Sequence, residues 1–336
     1  MGLLPRSHIA GLLAALALSA TANTAFAGTY TAQFENDRVA ATDRHYTTGM
    51  RINWVSDQTT DSPLWAKNLL DSIYPLADLR AGRVGLALGH NIFTPEDTAT
   101  RELAVDDRPY AGWLYGGISV HAETTRVFAG RKLDTLDTVE LDIGVVGPLA
   151  LAEEVQNNFH ELINVSRSNG WHHQLENEPA VLFIAERRWR PGALDVGPVA
   201  VDIIPHIGVG LGNVMTLANA GATVRIGQDL DVDYGPPHVR PTLSGLAALA
   251  GGTDFAWYVF AGAEGRYVAH NIFLDGNTFS DSHSVDRIPF VADIQTGAAI
   301  VIHDIRFAFT HVFRTREFEG QRRADRYGAV SLSARF

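Results

Sequence analysis

The chain has 336 residues, no cysteine and a formal net charge of −11, from 27 Lys and Arg residues against 38 Asp and Glu residues. The absence of cysteine excludes disulfides, thiolate nucleophiles and cysteine metal sites. The acidic balance disfavours bulk electrostatic attraction to nucleic acid, so no nucleic-acid partner is expected.

Residues 1–27 have the composition of a secretory signal. Arg6 precedes an apolar run over residues 9–18, and the small-x-small pattern of residues 25–27 suits signal peptidase. The run is too short to span a bilayer as a helix. We therefore predict that residues 1–27 are cleaved and that residues 28–336 form one domain.

The rest of the sequence alternates apolar residues with polar or small ones over segments of roughly ten residues, which is the pattern of a membrane β-barrel. In residues 138–145 the apolar side chains share one face, suited to lipid, and the polar ones share the other, suited to a lumen. Residues 118–123 and 305–310 alternate in the same way. Residues 327–336 alternate up to the terminal Phe336, which is typical of outer-membrane barrels. The alternative for this last segment is a strand of a soluble periplasmic sandwich.

Twelve strands are predicted along the chain. They lie near residues 29–36, 46–56, 82–91, 112–124, 136–146, 177–190, 198–211, 217–228, 254–269, 286–300, 302–315 and 324–336. An even number allows closure with both chain ends in the periplasm, and closure pairs every strand edge, as a lipid environment demands. The predicted fold class is all-β: a twelve-stranded antiparallel transmembrane β-barrel with a short α-helix in an extracellular loop.

In this topology three unusual polar loops emerge at the same, extracellular rim: residues 37–45, 91–111 and 147–177. Within the third loop, residues 150–165 are predicted to form the helix, since no proline or glycine interrupts them. Gln156 and His160 are spaced i to i+4 and so share a face of that helix. The alternative interpretation of His160 is a surface histidine on a solvated helix.

The polar residues of the first loop and of this helix suggest a chemistry. Asp37 offers a hard oxygen ligand, and Asn36 or Thr47 adds neutral oxygens, a combination that suits calcium. A neutral His160 can take a proton from water while the cation polarises an ester carbonyl. The alternatives are structural: Asn36 and Asp37 also suit a turn, and Thr47 suits a strand.

Several separate blocks of the sequence resemble the outer-membrane lipid A 3'-O-deacylase family (LpxR). The blocks are Asn36-Asp37, Asp43-Arg44, Tyr46-Thr47-x-Gly49, residues 142–148, residues 154–157 with His160, and residues 171–177. The resemblance extends over the mature chain and is strongest in its first half. It implies an outer-membrane β-barrel esterase over residues 28–336. Such an enzyme uses Ca²⁺ to hydrolyse the 3'-linked acyloxyacyl ester of lipid A in the outer leaflet, at the extracellular-facing rim.

By this resemblance, His160 is the base that activates water, and Gln156 matches a polar helix position beside it. Asn36, Asp37 and Thr47 match positions of the family's active site. Asp37 takes the main calcium role, whereas Asn36 and Thr47 are either further metal ligands or groups that orient the substrate.

Substrate binding is assigned to Arg44, Tyr46 and Arg108. The two arginines are suited to hold a lipid A phosphate through forked hydrogen bonds, and ordinary loop salt bridges are the alternative. The chain departs from the family in its second loop, where residues 106–110 replace a lysine-rich segment. This departure concerns substrate recognition rather than hydrolysis.

The expected partners are lipopolysaccharide, with its lipid A, and other outer-membrane lipids, and a monomer is expected. Two other functions remain open. One is an outer-membrane phospholipase, which would leave lysophospholipid rather than shortened lipid A. The other is a non-catalytic barrel, either a narrow channel or an adhesin, which would not need a cluster of Asn36, Asp37, Thr47 and His160 at one rim.

Overall fold

The computed structural model describes residues 27–37, 45–57, 68, 72, 81–128, 131–235, 249 and 253–336. The predicted signal segment lies outside these residues except for Ala27, and Arg44 lies outside them as well. Within the described ranges, no helix has the length and apolar character needed to cross a membrane.

The described residues form thirteen strands of one antiparallel sheet. They are β1 (Gly28–Asn36), β2 (His45–Ser56), β3 (Ala81–Thr94), β4 (Ala111–Phe128), β5 (Arg131–Val146), β6 (Glu178–Arg190), β7 (Leu194–Val196), β8 (Val199–Gly212), β9 (Met215–Gln228), β10 (Phe255–Asn271), β11 (Phe290–Ile302), β12 (Ile305–Arg314) and β13 (Asp325–Arg335). β1 pairs with β13, and β6 pairs with β8, so twelve strands close into a barrel. The short β7 pairs with β8 alone. The predicted closed twelve-stranded antiparallel barrel is confirmed.

Each predicted strand has its counterpart. The two largest shifts at a strand start are in β5, which begins at Arg131 rather than at residue 136, and in β11. The prediction begins that strand at residue 286, whereas it begins at Phe290. Proline at position 289 has no N–H to donate to a ladder, and the carbonyl of Pro289 accepts from Val268 N at 2.7 Å. Arg287 does not join the strand, and its guanidinium contacts Asp275, which lies before β11 in the chain.

The period-two alternation sorts side chains between the two faces of the wall as predicted. In β12, Ile305 and Phe307 are exposed on the outward face, whereas Arg306 is fully buried in the lumen. Inward charges find partners: Arg306 Nη1 lies 2.8 Å from Asp233 Oδ2, and Arg314 Nη2 lies 2.8 Å from Asp293 Oδ2. A charge buried in a barrel is tolerable when it is paired in this way.

Both ends of the lumen are filled by loop residues. At the end where β1 begins, the segment 229–235 folds inward and places Asp233 against Arg225, Arg306 and the Tyr258 hydroxyl. At the opposite rim, Phe273 of helix α2 (Ile272–Asp275) stacks on Phe93 with ring centroids 4.0 Å apart. A filled lumen disfavours the channel alternative.

The predicted loop helix is present but shorter than residues 150–165. A 3₁₀ turn spans Pro148–Ala150, and helix α1 is Ala152–Leu162. Leu151, with φ +57°, separates the two, and Asn164, with φ +59°, turns the chain back after the helix. Both are left-handed residues, which no continuous right-handed helix includes.

Candidate active site

Helix α1 lies against the outer surface of the barrel wall, near the rim at which β1, β3 and β5 end. A Cβ atom at Gly112 of β4 would lie 2.4 Å from Ala152 Cβ, so only glycine lets the helix approach this closely. His90 of β3 donates from Nε2 to the Ala150 carbonyl at 2.8 Å, which fixes the entry to the helix. Ala152 also packs with Ile92 in a buried cluster.

A cavity of about 220 Å³ separates this helix from the wall. Its lining residues are Phe34, Asn36, Asp37, Thr47, Thr48, Met50, Ile92, Val155, Gln156, Phe159 and His160. All five residues predicted to be catalytic, from two distant parts of the sequence, thus meet around one space. Since Phe34 and Met50 alternate with lumen-facing residues, the cavity opens on the outward face of the wall rather than in the lumen.

Hydrogen bonds order the wall side of the cavity. Asn36 donates from Nδ2 to the Thr47 carbonyl at 2.7 Å and to Thr48 Oγ1 at 3.1 Å. The ladder between β2 and β3 shifts register between Tyr46 and Thr48, and Thr47 Oγ1 lies 2.8 Å from Thr94 Oγ1. Such a bulge re-aims a side chain next to a site. Thr94 is a contact that the sequence patterns did not predict.

The helix side presents His160 in one tautomer. Its Nδ1 lies 2.7 Å from the Ser166 carbonyl oxygen, which can only accept, so Nδ1 carries the hydrogen. The neutral ring then has its lone pair on Nε2, the atom that can take a proton. The left-handed Asn164 brings the chain back to this contact, and Val165 N also donates to the His160 carbonyl at 2.8 Å.

Gln156 is oriented by a residue outside the cavity lining. Trp171 donates from Nε1 to Gln156 Oε1 at 2.9 Å, and an indole N–H can only donate. The amide oxygen is therefore turned to Trp171, and the amide N–H₂ is the donor end of Gln156. Trp171 belongs to a block that carries the resemblance, although no role was predicted for it.

Tyr110 supports this arrangement from the neighbouring loop. Its ring packs against Trp171 with centroids 4.9 Å apart. Burial raises the pKa of Tyr110 to about 12, so its hydroxyl is neutral at physiological pH. The Tyr110–Trp171 pair therefore adds no charge beside the cavity.

Of the three predicted substrate-binding residues, Arg108 is the one whose side chain is described, and it does not line the cavity. Arg108 is buried, its Nη2 lies 2.9 Å from Glu317 Oε2, and its guanidinium lies 5.6 Å from the ring centroids of Phe93 and Phe318. Arg108 thus forms a salt bridge, which was the alternative to phosphate binding. A guanidinium enclosed by two rings and a carboxylate does not face a lipid. Arg44 lies outside the described residues. Tyr46 belongs to β2, but its side chain is not described.

The wall offers oxygen donors suited to a hard cation. Asn36, Asp37 and Thr47 are all buried on it, and they supply one carboxylate, one amide oxygen and one hydroxyl. Among the described residues, no three His, Asp or Glu side chains gather into a metal site. A calcium ion here would therefore take its remaining ligands from water, backbone or substrate.

Comparison with known proteins identifies the family. A family model described as outer membrane protein LpxR matches residues 9–336. The chain belongs to the LpxR family. Membership supports an outer-membrane lipid A deacylase, in agreement with the resemblance seen in the sequence. A comparison with curated protein sequences gives no significant match.

A solved LpxR structure shares the fold of this chain. LpxR from Salmonella typhimurium matches with a TM-score of 0.72 and 23% identity, covering 92% of this chain and 100% of that one. The β domain of the Bordetella autotransporter BrkA is more distant, with a TM-score of 0.42 and 8% identity over 93% of this chain and 100% of that one. The translocator domain of NalP from Neisseria meningitidis has a TM-score of 0.36 and 10% identity over 98% of this chain and 96% of that one.

Proposed function

We propose that this LpxR-family chain hydrolyses the 3'-linked acyloxyacyl ester of lipid A in the outer leaflet of the outer membrane, with calcium as cofactor. The observation that supports this most strongly is the cavity in which His160 and Gln156 of α1 face Asn36, Asp37 and Thr47 of the wall. A base, an amide donor and a hard oxygen set around one space are the groups that ester hydrolysis needs.

The position of the cavity suits a substrate that arrives from the membrane. Below Met50, the outward face of the wall continues with Ile52 and Leu88, which are 58% and 59% exposed. Acyl chains lying along this apolar surface would bring an ester linkage near the rim without leaving the bilayer. A substrate entering through the lumen would instead meet paired charges and Phe273.

In the proposed mechanism His160 is the general base and then the general acid. Its Nε2 accepts a proton as the water oxygen attacks the ester carbonyl carbon, and the Ser166 carbonyl stabilises the ring through Nδ1. The same proton then passes to the departing sugar oxygen as the ester C–O bond breaks. The products are a free fatty acid and the deacylated glycolipid.

Charge that develops on the carbonyl oxygen needs a donor. The Gln156 amide, held at its oxygen by Trp171, offers N–H to this oxygen without having to reorient. Calcium bound by Asp37, with Asn36 and Thr47, would polarise the ester carbonyl and stabilise the oxyanion. Asn36 keeps its amide nitrogen on Thr47 and Thr48, so any ligand atom from Asn36 is Oδ1.

Mass spectrometry of lipid A from cells that express each variant tests this function. Wild type should release the 3' acyl group, whereas His160→Ala should leave lipid A intact although the barrel still assembles. His172→Ala is the matched control, because His172 is an exposed histidine of the same loop. Purified wild type should lose activity in a calcium chelator and regain it when calcium is restored.

Two results would overturn the proposal. Release of the 3' acyl group by His160→Ala in chelator would exclude the mechanism. Lysophospholipid with unchanged lipid A would exclude the substrate and would favour the phospholipase alternative.

A further inference from the structure

A second concave surface lies on the barrel wall apart from the cavity under α1. It is a groove of about 670 Å³ on the outward face of β9, β10 and β11, within the range of about 300–1,000 Å³ of small-molecule sites. Between β1, which lines the cavity, and β11, which lines the groove, the sheet order places β13 and β12. The groove shares no lining residue with the cavity and is therefore a separate site.

Gly265 forms the floor of this groove. It lies opposite Ala220 of β9 and Ala292 of β11, so three small residues form one row across the wall. A Cβ atom at Gly265 would meet no described heavy atom within 4 Å, and its φ is not in the left-handed region. The fold of the described chain therefore does not require glycine here.

A glycine in a strand has a cost, because it loses more conformational entropy than other residues and packs no side chain. Where it occurs, it often marks the close approach of a ligand or of another backbone. No described part of the chain approaches Gly265, so no described contact accounts for a glycine at this position.

Aromatic rings border the groove toward the rim. Tyr267 and Phe290 are paired across β10 and β11, and their ring centroids lie 5.2 Å apart. The two side chains are 49% and 72% exposed on the lipid-facing surface. Such rings beside a row of small residues form a slot that is shaped for an apolar chain.

A cation lies at the rim end of the slot. Thr315 extends the β11–β12 ladder by two hydrogen bonds of 2.9 Å to the backbone of Ala292, which places Arg316 at the groove edge. Arg316 is exposed and makes no ion pair with any described residue, unlike the preceding arginine, Arg314, which is paired with Asp293. An exposed guanidinium at the rim end of the slot complements a phosphate, which it can bind by two parallel hydrogen bonds.

We propose that this groove is a second, non-catalytic lipid site. It takes one acyl chain of a phosphorylated outer-leaflet lipid over Gly265 and holds the phosphate of that lipid on Arg316. Its occupancy does not depend on the proposed deacylation, because no residue of the groove lines the cavity under α1. Arg316 complements a phosphate, and the slot over Gly265 complements an acyl chain. A phosphorylated lipid brings both groups, whereas a second copy of this chain brings no acyl chain.

The test counts lipids bound to the delipidated full-length barrel by native mass spectrometry, with bisphosphorylated lipid A as the probe. His160→Ala is present in every protein, so that no probe is hydrolysed. Gly265→Leu, whose Cβ would meet no described heavy atom within 4 Å, should fill the groove and lose one bound lipid A relative to its parent. Ala298→Leu, an exposed alanine of β11 outside the groove, should bind as the parent does.

A second pair of variants tests the contact between Arg316 and the lipid phosphate. Arg316→Gln should raise the apparent Kd of that one binding event about tenfold, whereas Arg323→Gln, which removes an exposed charge from the same loop, should not. Lipid A without phosphates should bind the parent about as weakly as intact lipid A binds Arg316→Gln. Heat-dependent mobility in gels verifies that each variant is a folded barrel.

The outcomes separate this site from the proposed function. An unchanged lipid count in Gly265→Leu would overturn the second site, and so would a dimer of the parent that Gly265→Leu abolishes. With His160 intact, Gly265→Leu should deacylate at the wild-type rate. If wild type showed no deacylation, the proposed function would be wrong. The number of lipid A molecules bound would still test the groove, because that measurement does not depend on catalysis.

Discussion

His160 donates from Nδ1 to the backbone carbonyl of Ser166 at 2.7 Å, and the left-handed Asn164 makes this contact possible. A β-branched residue disfavours that conformation by about 1–2 kcal/mol. Asn164→Val should therefore misplace the Ser166 carbonyl and lower kcat of deacylation about tenfold, measured with purified protein and lipid A.

Asn164→Gly is the matched control, because glycine adopts a positive φ without strain. It should keep nearly wild-type activity. Equal losses in the valine and glycine variants would mean that the Asn164 side chain, rather than its backbone conformation, matters.

Trp171 is a positioning residue for Gln156. Trp171→Phe keeps a ring against Tyr110 but removes the N–H that holds Gln156 Oε1. The amide can then rotate, and the donor to the oxyanion is no longer preorganised. We expect kcat to fall about tenfold with KM little changed. A rise in KM alone would indicate a role in substrate binding instead.

The barrel itself could be predicted from sequence because its signal is local. Period-two alternation places lipid-facing residues such as Ile305 beside lumen-facing ones such as Arg306, and that pattern repeats in strands such as β6 and β10. Strand ends are less well specified. The start of β11 at Phe290, rather than at residue 286, depends on the loop contacts of Arg287 and on the missing N–H of Pro289.

The site could be predicted only in part. His160 and Asp37 belong to sequence blocks that resemble a family, and the structure places them at one cavity. Trp171 and Thr94 carry no periodic signal, since their contacts depend on how separate segments fold together. Arg108 shows the same limit: its partner, Glu317, is 209 residues away, so the sequence alone could not decide between a salt bridge and a phosphate contact.

The approach of α1 to the wall can be tested at two glycines of β4. Gly112→Ala would place its Cβ 2.4 Å from Ala152, so the helix must move outward and carry His160 away from Asp37. Deacylation should fall at least about tenfold, since small displacements of a catalytic group are costly. Gly116→Ala is the control, because its Cβ would have no neighbour closer than 4.0 Å. It should be as active as wild type.

Glu317 should make the stability of the loop between β12 and β13 depend on pH. Burial would raise the pKa of Glu317, but Arg314 and Arg108 outweigh burial and hold it below its usual range. A carboxylate with a lowered pKa stabilises the fold above its unfolded pKa of about 4.3, and this contribution is lost as pH falls through the folded pKa. Proteolysis of the loop between β12 and β13 should therefore rise only below about pH 4.

Glu317→Gln removes this titration. The variant should be cut more readily than wild type at neutral pH, and its cutting should change less on acidification. Parallel pH profiles for the two proteins would show that another group controls the loop.

Asp233 closes the lumen at the end where β1 begins. It accepts from Arg225 Nη1 at 2.6 Å and from Arg306 Nη1 at 2.8 Å, and all three side chains are fully buried. Asp233→Ala leaves two buried guanidiniums without this shared carboxylate, a loss of the kind that costs about 3–5 kcal/mol. The thermal midpoint of barrel unfolding, read as the heat-dependent shift in gel mobility, should fall by several degrees. Asp231→Ala, at an 81% exposed side chain of the same segment, should leave it unchanged. Equal midpoints for the two variants would mean that the segment 229–235 contributes little to the stability of the barrel.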